Sequence, residues 1–403
     1  MTTRAIILTQ GSELLSGSIS DHNAAYLCER LHNIGIRVLE YRCVDDDQND
    51  IANALIDASR RSDIVICTGG LGQTEDDLSR EACAQAFSTP LVESKPAKKQ
   101  VDAFYRKRNR TPPKRSTMHL LPKGAIFLHN PFGSAPAFSL SFERCQIYFL
   151  PGVPVELEGL YALHLEPSLK QYHKDWSMVE FGCFGAGEST LSKRLAGQLD
   201  CTISYRASRK GNSVKLHFPS AKPSISVLQK AKHILEPYLF AEGHCDLARS
   251  VGKLLLKQNA TVSAAESCTS GKVSAWITSV PGASRYFLEG AVVYSNHAKQ
   301  KYCDVSSHSL QNHGAVSKRV AIELAEGIQK RAQSTWGISI TGIAGPGGGS
   351  KEKPVGTVHI AVSNGKTTVH RHLTLRGSRD QITDSSAAHV LFLLYQQLKE
   401  LEM

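Results

Sequence analysis

The runs Ala5-Ile6-Ile7-Leu8-Thr9 and Asp63-Ile64-Val65-Ile66-Cys67-Thr68, with Arg37 to Cys43 between them, decide the fold. Short apolar runs without strict alternation read as strands buried on both faces. Asn23 to Ile34 and Ile51 to Arg60 place apolar residues at helical spacing between these runs. Strand and helix in alternation imply parallel βαβ units, and so a doubly wound α/β domain. Working outward, Ala125 to His129, Ala137 to Phe142 and Gln146 to Leu150 add strands, followed by a helix from Val155.

From about Ser177 the pattern changes to a small α+β module. It has a strand Val179 to Gly185, an N-capped helix after Glu188-Ser189, a strand Ser213 to Phe218 and a helix Ser224 to Leu235. A second α/β alternation begins at Asp246. Val251 to Lys257, Lys272 to Thr278, Ser317 to Ala332 and Ile382 to Leu398 read as helices, and Val320, Leu324 and Ile328 form one stripe. Thr261 to Ala265, Phe287 to Tyr294 and Ile338 to Thr341 read as strands, and Gly356 to Val362 with Thr367 to Thr374 as a hairpin. Asn364-Gly365 there predicts a type I′ turn. The expected division is 1–170, 171–245 and 246–403.

The 403 residues, 41% hydrophobic and 21% charged, suit a multidomain globular chain and exclude compositional disorder. No apolar run reaches the length of a membrane helix and the N-terminus reads as a strand, so a cytoplasmic protein is expected. The ten cysteines are scattered without a C-x-x-C pair, which favours reduced core thiols over a zinc or disulfide framework. Most of the net charge of +10 is local: Leu91 to Lys123 holds ten Lys/Arg against Glu93 and Asp102. Only Phe104 and Tyr105 accompany them, so a solvated helix and loop attracting phosphate-bearing ligands outweighs a nucleic-acid groove.

Three segments in the last third carry chemistry. Glu266-Ser267-Cys268-Thr269-Ser270-Gly271 stands at a strand-to-helix junction, where helix N–H groups favour an oxyanion; a plain N-cap is the bland alternative, and Cys268 a competing nucleophile. Tyr294-Ser295-Asn296-His297-Ala298-Lys299 puts a lysine in the first turn of a helix, disfavouring its charge. Such a lysine can take a proton from a serine directly or through the tyrosine hydroxyl, unless it is simply solvated. Thr341-Gly342-Ile343-Ala344-Gly345-Pro346-Gly347-Gly348-Gly349-Ser350 matches neither phosphate-loop fingerprint, yet its amides can form an anion nest, with Arg376 and Arg379 as a clamp.

Taken together, Ala-Glu-Ser-Cys-Thr at 265–269, Val-Val-Tyr-Ser-Asn at 292–296, Lys299, His-Gly-Ala-Val-Ser at 313–317, the glycine loop, and Glu-Lys-Pro-Val-Gly-Thr-Val at 352–358 resemble the C-terminal domain of the CinA family, the nicotinamide mononucleotide deamidases. The resemblance implies Ser267 as nucleophile, Tyr294 and Lys299 as its activators, and Thr341, Gly342, Gly345 and Arg379 as substrate-binding. The implied reaction converts nicotinamide mononucleotide to nicotinic acid mononucleotide and ammonia without a cofactor. Ser270 departs from the family, which usually has Gly there.

In the first domain Gly11-Ser12-Glu13-Leu14-Leu15-Ser16-Gly17, Asn23 and Thr68-Gly69-Gly70-Leu71-Gly72-Gln73-Thr74-Glu75-Asp76-Asp77 mark a phosphate-type site. Asp76 and Asp77 there can hold a divalent metal, or simply open a helix. This half, with Asn130 to Pro136, Leu150 to Pro154 and Phe184 to Ser189, also resembles CinA. It implies a molybdopterin-binding-like domain associated with metal-dependent ADP-ribose pyrophosphatase activity. Gln73, Asp45, Arg115 and Met118 depart from the family pattern, which argues for a retained nucleotide-binding or structural role. A homodimer acting on a small nucleotide is expected, without membrane or nucleic acid. The rival reading is a non-catalytic nucleotide- or DNA-associated protein.

Overall fold

The computed structural model describes residues 3–111, 116–169, 176–243 and 245–401. Lys114 and Arg115, part of the basic segment, lie outside them. The chain divides into two compact units, 1–177 with 218–222 and 178–217 with 223–403.

In the first unit β1 (Arg4–Gln10), β2 (Arg37–Val44) and β3 (Ile64–Thr68) are joined by helices His22–Asn33 and Gln48–Arg61. Short β4 (Leu91–Glu93) and β5 (Leu120–Pro122) pair with each other. β6 (Ile126–Leu128), β7 (Ala137–Phe142) and β8 (Cys145–Leu150) complete the main sheet, ordered β2-β1-β3-β8-β7-β6. β2, β1, β3 and β8 are parallel, whereas β7 and β6 run antiparallel. Side chains alternate across the sheet. Ile6, Leu8, Val65 and Cys67 pack with Ile51, Leu55 and Ala58, while Ala5, Ile7, Ile64 and Ile66 pack with Leu27, Leu31, Leu157 and Leu160. Helices cover both faces, as a doubly wound sheet requires.

The second unit opens with β9 (Ser177–Cys183), β10 (Thr202–Arg206), β11 (Asn212–Phe218) and β12 (Leu239–Glu242), ordered β10-β11-β9-β12. The helix Glu188–Leu195 lacks the expected side-chain cap; Gly187 precedes it. A second sheet, β14-β13-β15-β16-β17, contains β13 (Val262–Glu266), β14 (Phe287–Val292), β15 (Trp336–Gly342), β16 (Thr357–Ser363) and β17 (Thr368–Thr374). β14, β13 and β15 are parallel and the β16/β17 hairpin antiparallel.

Helix Lys318–Ala332 buries Val320, Leu324 and Ile328 against one face, and the closing helix Arg379–Glu400 buries Ile382, Leu391 and Leu394 against the other. The hairpin turn differs from the type I′ expectation. Gly365 has φ +80° but Asn364 is not in the left-handed region, and a four-residue loop closes instead. Asn364 braces it, its Oδ1 accepting the amides of Lys366 and Thr367 at 2.9 and 2.8 Å. Among the described residues, no helix is long and apolar enough to cross a membrane.

Candidate active site

The chain leaves β13 toward β14 on one side and β15 on the other, so the C-terminal ends of β13 and β15 form a topological switch point, the usual ligand position in such sheets. Ser267 is the first residue beyond β13, and its amide donates to Ile340 O on β15 at 3.0 Å. The helix Asn296–Cys303, capped by Ser295, carries Lys299 back under the same end. Both side chains are nearly enclosed, Lys299 at 1% and Ser267 at 7% exposure.

Lys299 Nζ lies 3.1 Å from Ser267 Oγ, 2.8 Å from Val293 O and 3.1 Å from Tyr294 O. Burial lowers the Lys299 pKa from its ordinary 10.5. A neutral amine has two N–H donors and one lone pair. With the donors on the two carbonyls, the lone pair is left for Ser267 O–H. No carboxylate is among these partners to hold the charged form.

Tyr294 is placed differently from the relay position that sequence allowed. The residue is 60% exposed and its hydroxyl accepts from Arg379 Nη2 at 3.2 Å. Lys299 reaches Ser267 without the phenol. Arg379 Nη1 also donates to Gly345 O at 2.7 Å, tying the glycine loop to the start of the last helix. Gly345 has φ +83°, a backbone state that a side chain would strain.

Ser267, Tyr294, Lys299, Thr341, Gly342, Gly345 and Arg379 thus line one cavity of about 250 Å³. Thr341 is fully buried and gives its hydroxyl proton to Ala315 O at 2.8 Å. Arg376 is not among the lining residues. Cys268 also lines the cavity, but burial pushes its thiol up to about 12, the opposite of nucleophilic activation.

Sequence reasoning missed Glu266. Fully buried, its carboxylate accepts from the amides of Gly271, Val273 and Ser274 and from Ser274 Oγ, at 2.7–3.1 Å. The helix Lys272–Thr278 therefore has its first N–H groups occupied, which removes them as oxyanion donors. A Glu several residues ahead of a helix matches no capping signature, so no sequence signal marks it.

In the first unit the switch point lies between β1 and β3. Next to it Asn23 bridges the ends of β3 and β8, donating to Gly152 O at 2.7 Å and Thr68 Oγ1 at 3.3 Å. A cavity of about 320 Å³ beside it is lined by Glu13, Asp46, Asp76, Asp77 and Glu156, among others. Asp77 is spent on its own loop, accepting from Gly72 N, Thr74 N and Thr74 Oγ1 at 2.7, 2.8 and 2.5 Å. Asp76 and Asp77 both line this cavity, Asp77 with these loop contacts in addition. Among the described residues, no group of three or more His, Cys, Asp or Glu stands arranged around a metal position.

The departing residues have local roles here. Gln73 Nε2 donates to Tyr105 Oη at 2.8 Å, Asp45 accepts the amide of Asp46 at 2.9 Å, and Met118 is a core residue.

A family model described as the CinA C-terminal domain matches residues 244–398, and one described as a probable molybdopterin binding domain matches 6–171. A CinA-like protein of Citrifermentans bemidjiense is 37% identical over 397 residues, covering 94% of each chain. Another CinA-like protein, of Syntrophotalea carbinolica, is 35% identical over 421 residues and covers 100% of both. Among solved structures, a competence/damage inducible protein from Agrobacterium tumefaciens is 35% identical, covers 38% of this chain and 93% of its own, and has a TM-score of 0.37. Relatives of such identity across the full length make this chain a member of the CinA family.

Proposed function

We propose that the second unit hydrolyses the carboxamide of nicotinamide mononucleotide to nicotinic acid mononucleotide and ammonia. The observation that carries this reading is the contact of Lys299 Nζ with Ser267 Oγ, with the amine's other two directions fixed by Val293 O and Tyr294 O. Neutral Lys299 takes the Ser267 proton as Oγ attacks the carboxamide carbon, and a tetrahedral adduct forms. The ammonium then returns that proton to the leaving nitrogen, ammonia departs and an ester remains on Ser267. Lys299, neutral again, deprotonates a water that cleaves the ester, releasing the carboxylate and restoring Ser267.

Substrate choice rests on the rest of the cavity. Arg379 uses two of its five donors on Gly345 and Tyr294, leaving three for an anion such as the 5′-phosphate. Exposed Tyr294 offers an aromatic face to a pyridine ring.

Ammonia release from nicotinamide mononucleotide by the whole chain tests the reading. Ser267→Ala is expected to lower kcat at least about a thousandfold. No ammonia from the unaltered chain, or an unchanged rate in Ser267→Ala, sinks it in favour of the non-catalytic alternative. That alternative predicts DNA binding weakening steeply between about 50 and 200 mM salt.

A further inference from the structure

The short loop between helices Ser307–His313 and Lys318–Ala332 has its carbonyls taken by three side chains. Lys353 Nζ donates to His313 O and to Val316 O, each at 2.8 Å. Ser317 Oγ donates to Gly314 O at 2.9 Å, and Thr341 Oγ1 to Ala315 O at 2.8 Å. A trans peptide group is planar, so each N–H points away from the carbonyl that precedes it. The amides of Ala315 and Val316 are thereby turned away from Ser317 Oγ and Thr341 Oγ1. Among the described residues no acceptor takes either amide, and both residues line the Ser267 cavity.

Amide hydrolysis needs such donors. Attack by Ser267 puts negative charge on the carboxamide oxygen, and the helix amides at Gly271, Val273 and Ser274 are already held by Glu266. We propose that the amides of Ala315 and Val316 are the donors to that oxyanion, and that Lys353 is the positioning residue that holds them. The inference rests on the amidase reading.

Lys353 is not among the cavity-lining residues, so it acts through the loop. It is itself fixed by a turn at the end of the glycine loop, its amide donating to Ser350 Oγ at 3.0 Å and its carbonyl accepting from Ser350 N at 2.9 Å. Hydrogen bonds from an ammonium are stronger than those between neutral groups. One side chain thus ties the glycine loop to both ends of the 313–316 segment, and its removal frees two of that segment's four carbonyls.

Steady-state ammonia release from nicotinamide mononucleotide by the full chain, by Lys353→Met and by Lys353→Arg tests the proposal. Methionine removes the donors but keeps an unbranched apolar stem. Its kcat is expected to fall at least about tenfold with KM within about threefold, because donors to an oxyanion act on the charged adduct and not on bound substrate. Lys353→Arg can still donate to both carbonyls and is expected to recover most of the lost kcat. Circular dichroism verifies the fold of Lys353→Met; if that variant does not fold, Lys353→Gln, which keeps a shorter N–H donor, is expected to give a kcat below that of Lys353→Arg at similar KM. Unchanged kcat on loss of the ammonium, a rise in KM alone, or no recovery in Lys353→Arg would overturn the proposal and leave the Ser267–Lys299 reading standing. No ammonia from the unaltered chain would overturn both.

Discussion

At the scale of single residues, Ser270 shows how one side chain can sit against its backbone. Its φ is +50°, left-handed without being glycine, directly before Gly271 at +94°. An L-residue there costs about 1 kcal/mol, which glycine avoids, less what glycine loses in unfolded-chain entropy. Ser270→Gly is therefore expected to raise stability by up to roughly 0.5 kcal/mol, read as a higher denaturation midpoint with unchanged slope. A lower midpoint would contradict the backbone assignment. Glu266 carries the opposite expectation. Glu266→Ala strands buried amides and leaves a void, so a loss of about 3 kcal/mol is expected. Glu266→Gln should lose less, since its carbonyl still accepts from some of those groups.

Elements differ in how plainly the amino-acid sequence announces them. Ile64 to Thr68 is legible because a strand buried on both faces is an almost continuous apolar run; Val262 to Glu266 is buried as fully, but Ser263 and Glu266 interrupt its apolar run. Thr202–Arg206 is not legible, being a half-exposed strand with mixed side chains, and four-residue Leu239–Glu242 is too short to show a period. The meeting of Ser267 with Lys299 is foreshadowed by their positions at a strand end and in a first helical turn. The turn of Tyr294 toward Arg379 is not, because it depends on where the last helix begins.

Gly327 in helix Lys318–Ala332 tests this packing. A Cβ there would lie 1.9 Å from Cys303 O, so Gly327→Ala should destabilise by about 2 kcal/mol or more. In an exposed helix the same change would stabilise by about 1 kcal/mol, so the sign of the shift in denaturation midpoint decides. The imidazoles of the β16/β17 hairpin, His359, His370 and His372, give a pH signature. His359 is pushed down to about 4 by burial and by its charged and imidazole neighbours. The unfolded chain, titrating near 6.5, then binds the proton first. Stability is full above that value and falls as pH drops from there toward 4. Acid denaturation of His359→Gln should show a weaker limb in this window, and an identical limb would remove His359 as its source.

For the whole molecule, each unit has its own sheets and cores, so a ligand of one is expected to stabilise that unit by mass action. Calorimetry with nicotinamide mononucleotide at a hundred times its Kd should stabilise the second unit by about 2.7 kcal/mol. Hydrogen exchange should place that protection around residues 266–299 and 341–348, and protection confined to the first unit would move the substrate there. The account depends most on buried Lys299 serving as base. The deciding measurement is the pH dependence of kcat/KM for ammonia release by the unaltered chain and by Lys299→Ala. The account predicts a limb rising with pH, its apparent pKa below the ordinary 10.5 of lysine, that disappears with at least about a hundredfold loss of rate in the variant. The same rising limb at comparable rate in Lys299→Ala would contradict it.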